Sequence, residues 1–194
     1  LERCRPMTNL ATKYRPTSFK EVIGQGRIIA SLVPELKRGA SHTFLFSGPS
    51  GVGKTTLARL SAKELDCGDV IEVDAATYTG IDDMRELVST MQYASFGESA
   101  RRAVILDEAH ALSKQAVQSL LKVLEEPPSH LFWFLCTTEP GRLLPTIKTR
   151  CLHYELRPLY RAELIDIVER VVLAEHMKID DNIVDLIVSE AQGS

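Results

Sequence analysis

The chain has little that would tie it to a membrane, a disulfide scaffold or an unaided hold on nucleic acid. Its four cysteines, Cys4, Cys67, Cys136 and Cys151, form no C-x-x-C pair. They therefore suggest reduced thiols, with no zinc site and no disulfide framework. No apolar run approaches the roughly 20 residues needed to cross a bilayer, and the N-terminus lacks the order of a signal peptide. These features predict a cytoplasmic protein. Positive charge is also scarce: 23 Lys and Arg stand against 26 Asp and Glu, a formal net charge of -3 over 194 residues. Any contact with nucleic acid must then be local or shared with other chains. What the sequence does have is apolar material, 44% of its residues against 25% charged, enough for one domain and a small appendage. Residues 1–6 precede Met7, a natural initiator, and are read as an upstream remnant.

The apolar pattern alternates between short runs and helical periods. Ile28, Ile29, Leu32, Val33 and Leu36 follow helical spacing over 25–38, with Pro34 expected to kink or restart the helix and Gly39 to end it. A buried strand at 43–46 then leads through a glycine-rich turn into a helix at 55–65. Residues 71–73 read as a strand, and Met84, Leu87, Val88 and Met91 mark the following helix, whose first turn holds Asp82 and Asp83. A strand at 103–106 ends at Asp107. After it, Ala116, Val117, Leu120, Leu121 and Leu124 build a helix capped by Ser113 and stopped by Pro127. The next buried strand is 131–136. Such alternation predicts an α/β fold: a parallel sheet with helices on both faces and ligands at the carboxyl ends of its strands. Beyond Arg157 and Pro158 only two helical patterns follow, carried by Leu164, Ile165, Val168, Val171 and Val172 and then by Ile183, Val184, Ile187 and Val188. They predict a core over 7–156 and a partial helical lid over 157–194.

The turn after the first strand carries chemistry. Gly48, Pro49, Ser50, Gly51, Val52, Gly53, Lys54 and Thr55 match G-x-x-x-x-G-K-[ST], between a strand and a helix as a phosphate-binding loop requires. Glycines let backbone N–H groups turn toward phosphate oxygens, Lys54 neutralises the outer phosphates, and the Thr55 hydroxyl ligates magnesium, with Thr56 following in the helix. Asp107 and Glu108 place two carboxylates at a strand end. Beside such a loop, Asp107 would hold the magnesium shell and Glu108 would orient and deprotonate a water. Thr138, at another strand end, either bonds that water or the terminal phosphate, or caps the next turn. Arg150 is either an arginine acting across a subunit boundary or an ordinary surface residue.

Further motifs extend past a generic loop. Lys13, Tyr14, Arg15 and Pro16, then Phe19, then Val22, Ile23, Gly24 and Gln25, precede the core. VILDEAHALS at 104–113, LLKVLEEPP at 120–128, CTTEP at 136–140 and TRC at 149–151 follow in order. Over nearly the whole chain this resembles the AAA+ clamp-loader ATPases, especially the gamma/tau subunits of bacterial DNA polymerase III. The resemblance implies a P-loop NTPase of the AAA+ type that uses ATP and Mg2+. It implies that Arg15, Pro16, Ile23 and Gln25 enclose adenine, that Thr138 is a sensor, and that Arg150 serves a neighbour's ATP. It also implies a ring with other loader subunits, a sliding clamp, and primer-template DNA bound inside the spiral. Thr77, Tyr78, Thr79, Gly80, Ser113, Lys114 and Gln115 are candidate DNA contacts, or else plain helix caps and loops.

The sequence departs from that pattern twice. Only Gly68, Asp69 and Val70 separate Cys67 from Ile71, where such relatives carry a cysteine-rich zinc insert, so no zinc is expected. The chain also stops before the lid helix bearing a second sensor arginine, so slow hydrolysis by the isolated chain is expected. A scaffold that no longer turns over ATP and another AAA+ DNA machine, such as a branch-migration helicase, are the alternatives. The intact Lys54, Thr55, Asp107 and Glu108 speak against the first, and the EEPP and TRC segments against the second.

Overall fold

The computed structural model describes residues 9–77, 81–93, 99–191 and 193. Its chain opens with a helical turn α1 (Leu10–Lys13), then α2 (Gly26–Arg38), β1 (Thr43–Ser47), α3 (Lys54–Glu64), β2 (Asp69–Asp74), α4 (Ile81–Met91) and β3 (Arg102–Asp107). It continues with α5 (Lys114–Glu125), β4 (Leu131–Thr137), the short α6 (Pro145–Lys148), β5 (Leu152–Glu155), α7 (Arg161–Ala174) and α8 (Asp181–Glu190). The strands form one five-stranded sheet in the order β2-β3-β4-β1-β5, with every pair parallel.

Burial explains this order. All residues of β1 and β4 are buried, as are Ala103, Val104, Ile105 and Leu106 in β3. A parallel strand covered on both faces needs such an unbroken apolar run. The edge strands β2 and β5 carry charged residues, Asp69, Glu72 and Asp74 in the first and Glu155 in the second, which blunts pairing with another chain. Leu45, Val104, Leu106, Trp133 and Leu135 pack with Met84, Leu87, Leu120 and Leu124 of α4 and α5. On the other face, Phe44, Phe46, Ile105 and Phe134 pack with Leu32 and Leu36 of α2 and Leu57 and Ala58 of α3.

The ends of the elements follow local chemistry. Gly39 closes α2 in the left-handed region at φ 64°, its N–H donating to Glu35 O and Leu36 O. The Ser113 hydroxyl accepts from Ala116 N–H and caps α5, as its position in the sequence predicts. Two expectations change. Of the kink or restart expected at Pro34, the restart does not occur: α2 runs through the proline as one helix, tethered to the sheet on both sides of it by buried Leu32 and Leu36. The sequence reading also assigns no strand to 152–155, because β5 is a four-residue edge strand without a buried face. Its hydrogen bonds to β1 come from the tertiary fold, not from a pattern of its own.

α7 and α8 pack on each other after a tightly built connection. Arg157 pairs with the Glu163 carboxylate at 2.6 Å and stacks over the Tyr160 ring, with 3.9 Å to its centroid. Leu159 N–H donates to Gly193 O at 2.9 Å. The two helices nevertheless expose Leu173 and Leu186, at 78% and 60% of their surface.

Candidate nucleotide site

The glycine loop joins the carboxyl end of β1 to the first turn of α3. Gly48, Gly51 and Gly53 have φ values of 146°, 76° and 100°, a backbone course that residues with a Cβ rarely follow. At Gly48 a Cβ would also lie 2.5 Å from Leu156 O. Lys54 is buried, and its Nζ donates to Gly48 O at 2.9 Å and Pro49 O at 2.7 Å. Burial pulls its ammonium below the ordinary lysine range, while Glu108 and Asp107 work in the opposite direction.

The two acids end β3, two strands away from β1. Thr55 Oγ1 donates to Asp107 Oδ2 at 2.9 Å, which joins the loop to the acidic strand end. Glu108 takes the left-handed conformation at φ 46°, uncommon for a residue with a long side chain. Its Oε2 accepts from Thr138 Oγ1 at 2.9 Å and from Thr138 N–H at 3.3 Å. Gly48 N–H donates to Thr137 O at 3.2 Å, so the loop and the end of β4 are also linked. Lys54, Thr55, Asp107, Glu108 and Thr138 are thus gathered at the carboxyl ends of three adjacent strands.

A cavity of about 750 Å³ opens over this cluster. Ser50, Gly51, Gly53, Lys54, Thr55, Thr56, Asp107 and Glu108 form its floor. Arg15, Pro16 and Ile23 line it, together with Leu10, Ala11, Tyr14 and Glu21 of the N-terminal segment, while α7 contributes Ile167, Arg170 and Val171. Gln25 is not part of that lining. Its side chain is buried, and its amide donates to Arg157 O at 2.8 Å, bridging α2 to the connection before α7. Sequence reading missed the α7 residues because their place depends on the lid folding back over the core. It also missed His110, although this histidine stands only two residues after Glu108; its ring lies 3.0 Å from Thr137 Oγ1.

Arg150 lies elsewhere. It lines a second depression with Ala40, Ser41, His42 and Thr43, at the amino end of β1, opposite the glycine loop. Its guanidinium donates to Thr146 O at 2.7 Å and pairs with Glu125. It is therefore outside the cluster of Lys54, Thr55, Asp107, Glu108 and Thr138 in its own chain. Of the candidate DNA contacts, Thr77 is exposed and donates to Asp74 O, Ser113 caps α5, and Lys114 and Gln115 are exposed on the first turn of α5. Tyr78, Thr79 and Gly80 lie outside the described residues.

A five-stranded parallel sheet with a glycine loop after β1, two acids ending β3 and a helical lid defines a P-loop fold of the AAA+ type. Comparison with solved structures agrees. The Thermotoga maritima RuvB Holliday junction branch migration motor matches 90% of this chain and 59% of its own with a TM-score of 0.76 at 26% identity. A point variant of that protein gives a TM-score of 0.77. The sequence relatives are more particular. The chain is 38% identical to DNA polymerase III subunit gamma/tau of Mycobacterium bovis over 211 residues, 95% of this chain. It is 36% identical to the tau subunit of Escherichia coli over 209 residues. Residues 69–160 match the family described as DNA polymerase III, delta subunit. The chain is thus an AAA+ protein related to the gamma/tau subunits of DNA polymerase III, the likeness its motifs carry. It spans 36% and 32% of the length of those two relatives. Both aligned stretches are longer than 95% of a 194-residue chain, so the relatives hold extra residues inside the matched span.

Proposed function

We propose that this chain is the ATP-binding and ATP-hydrolysing motor of a clamp-loader subunit, acting in DNA replication to load a sliding clamp on primer-template DNA. The observation that carries the reading is the 2.9 Å hydrogen bond from Thr55 to Asp107. It joins a lysine-bearing glycine loop to an acidic strand end. The loop amides and Lys54 bind phosphates, and charged phosphate oxygens are stronger acceptors than the Gly48 and Pro49 carbonyls that now receive the lysine. Thr55 and Asp107 would hold Mg2+, which would neutralise charge on the outer phosphates. Glu108 takes the proton of the attacking water, and Thr138 orients that carboxylate as a sensor. Arg15, Pro16 and Ile23 enclose the base, and Gln25 supports the junction with the lid.

Arg150 serves the nucleotide of a neighbouring subunit in a ring, because it stands across the sheet from its own site. Thr77, Ser113, Lys114 and Gln115, with Tyr78, Thr79 and Gly80, contact the DNA backbone. In this reading the core runs over 7–156 and the partial lid over 157–194, the protein is cytoplasmic, and no zinc is involved. Among the described residues no helix is long and apolar enough to cross a membrane. The isolated chain binds nucleotide and turns it over slowly. A branch-migration motor is favoured only by likeness of fold, whereas the similarity of sequence points to polymerase subunits.

The deciding assay is ATP hydrolysis with and without clamp and primed DNA, with Lys54→Ala, Glu108→Gln and Arg150→Ala alongside. Stimulation by both ligands supports a loader. Hydrolysis indifferent to the clamp overturns it, and failure to bind adenine nucleotide overturns the motor reading itself.

A further inference from the structure

We infer that His110 is a positioning residue for ATP hydrolysis, holding the Glu108 carboxylate and the end of β4 in the geometry the reaction needs. This rests on the motor reading above. The His110 side chain is 11% exposed and lies among three polar groups. Its Nδ1 is 3.0 Å from Thr137 Oγ1 and 3.3 Å from Glu108 Oε2, and its Nε2 is 3.4 Å from Glu139 Oε1. A histidine that merely filled space would need no such set of partners.

One of these contacts falls on a carboxylate oxygen that is already held. Glu108 Oε2 already accepts from the Thr138 hydroxyl and N–H, and the imidazole closes the arrangement from the side of the short helical turn at Ala109–Ala111. With Oε2 held, Oε1 is the oxygen left to accept a proton from water. The same ring reaches the phosphate side through Thr137, whose hydroxyl accepts from Glu139 N–H at 3.1 Å and whose carbonyl accepts from Gly48 N–H at 3.2 Å. His110 therefore ties the acid of β3, the end of β4 and the start of the glycine loop into one network. Glu108 needs this support because its left-handed backbone, φ 46°, does not by itself fix where a flexible side chain points.

The test uses the whole chain and begins with nucleotide binding and wild-type single-turnover hydrolysis, since failure there removes the motor reading rather than this one. His110→Gln and His110→Ala should lower the hydrolysis rate constant about tenfold or more while nucleotide affinity stays near wild type. His110→Asn, whose amide overlies Nδ1, should recover more activity than His110→Gln, whose amide overlies Nε2. In a Glu108→Gln background, His110→Ala should cost nothing further. A second measurement is independent of turnover: the imidazole ¹⁵N resonances of His110 in the nucleotide-free chain. The Nδ1 signal should move on Glu108→Gln and the Nε2 signal on Glu139→Gln. Full activity in all three variants, losses additive with Glu108→Gln, or an Nδ1 signal blind to Glu108 would each overturn the inference.

Discussion

Thr55 Oγ1 donates to Asp107 Oδ2 across 2.9 Å, although Thr55 opens α3 after β1 and Asp107 ends β3, with β4 between those two strands. A hydroxyl and a carboxylate so close can share a divalent cation. Thr55→Ala removes one ligand and leaves the lysine and the loop amides in place. In excess Mg2+ the variant should bind ATP about tenfold more weakly, a loss of about 1.4 kcal/mol. In EDTA its affinity should equal that of the wild type. Calorimetry in both buffers reads the difference, and equal losses in both would separate Thr55 from the metal.

Lys54 exchanges stability for binding. Burial depresses the pKa of its ammonium, so the unfolded chain holds that proton more tightly than the folded one. The cost of burying the charge is present at pH 7 and is relieved only as pH rises toward the ordinary lysine value of 10.5. Lys54→Met should therefore raise the stability of the nucleotide-free protein at pH 7 by about 1 kcal/mol. The same variant should lose the rise in Tm that ATP gives the wild type. Thermal unfolding with and without ATP checks both, and a variant less stable without nucleotide would refute the argument.

Much of this site is legible in the sequence because its chemistry is local. A loop with glycines at 48, 51 and 53 and a lysine at 54 encodes its own backbone course, and the runs of β1, β3 and β4 announce burial on both faces. The acids at 107 and 108 could be paired with the loop once both were placed at strand ends. What depends on distant packing is not legible. Ile167, Arg170 and Val171 reach the cavity only because the lid folds back over the core, and Gln25 turns to Arg157 O, a partner 132 residues away in the chain. β5 has no pattern of its own, since all it needs is the free edge of β1.

Gly24 sits where the N-terminal segment meets the start of the lid. Its φ is 84°, and a Cβ there would lie 2.3 Å from Leu159 Cδ2 and 3.0 Å from Glu163 Oε2. Leu159 can turn its side chain aside, but Glu163 also holds Arg157, so its carboxylate can yield only by disturbing that pair. Gly24→Ala combines backbone strain with crowding and should destabilise the protein by about 1–3 kcal/mol. Its Tm should fall by about 2–8 °C. Urea unfolding gives the energy, and a change within about 0.5 kcal/mol would show that the lid connection accommodates a side chain freely.

Three thiols should make the fold sensitive to alkali. Burial pushes Cys67 and Cys151 up to about 12 from the ordinary 9.0, and raises Cys136 as well. Between pH 9 and pH 12 the unfolded chain releases these protons while the folded chain keeps them. The folded state then binds more protons, so stability from these thiols is complete below pH 9 and is lost as pH rises toward 12. Unfolding free energies should decline across that window, and Cys151→Ala should reduce the slope. Native Cys67, Cys136 and Cys151 should also resist a thiol reagent at pH 8 and react on unfolding. Rapid native labelling of all three would contradict the burial.

In the proposed ring, Arg150 would act on a nucleotide other than its own. It lies at the amino end of β1, paired with Glu125, while the glycine loop occupies the carboxyl end. Arg150→Ala should therefore leave ATP affinity unchanged in the isolated chain. In an assembled ring stimulated by clamp and DNA, the same variant should lose hydrolysis by about 1000-fold, the scale of a guanidinium acting on a transferring phosphoryl group. Mixing separates a role across subunits from one within a chain. A subunit with Glu108→Gln keeps a working arginine but a dead site, and one with Arg150→Ala keeps a working site but no arginine. Placed next to each other in the right order, the first should restore the second, so mixed rings should exceed the average of the two pure rings. Activity that simply averages with composition would mean that Arg150 supports Glu125 and the turn at α6 and nothing beyond its own chain.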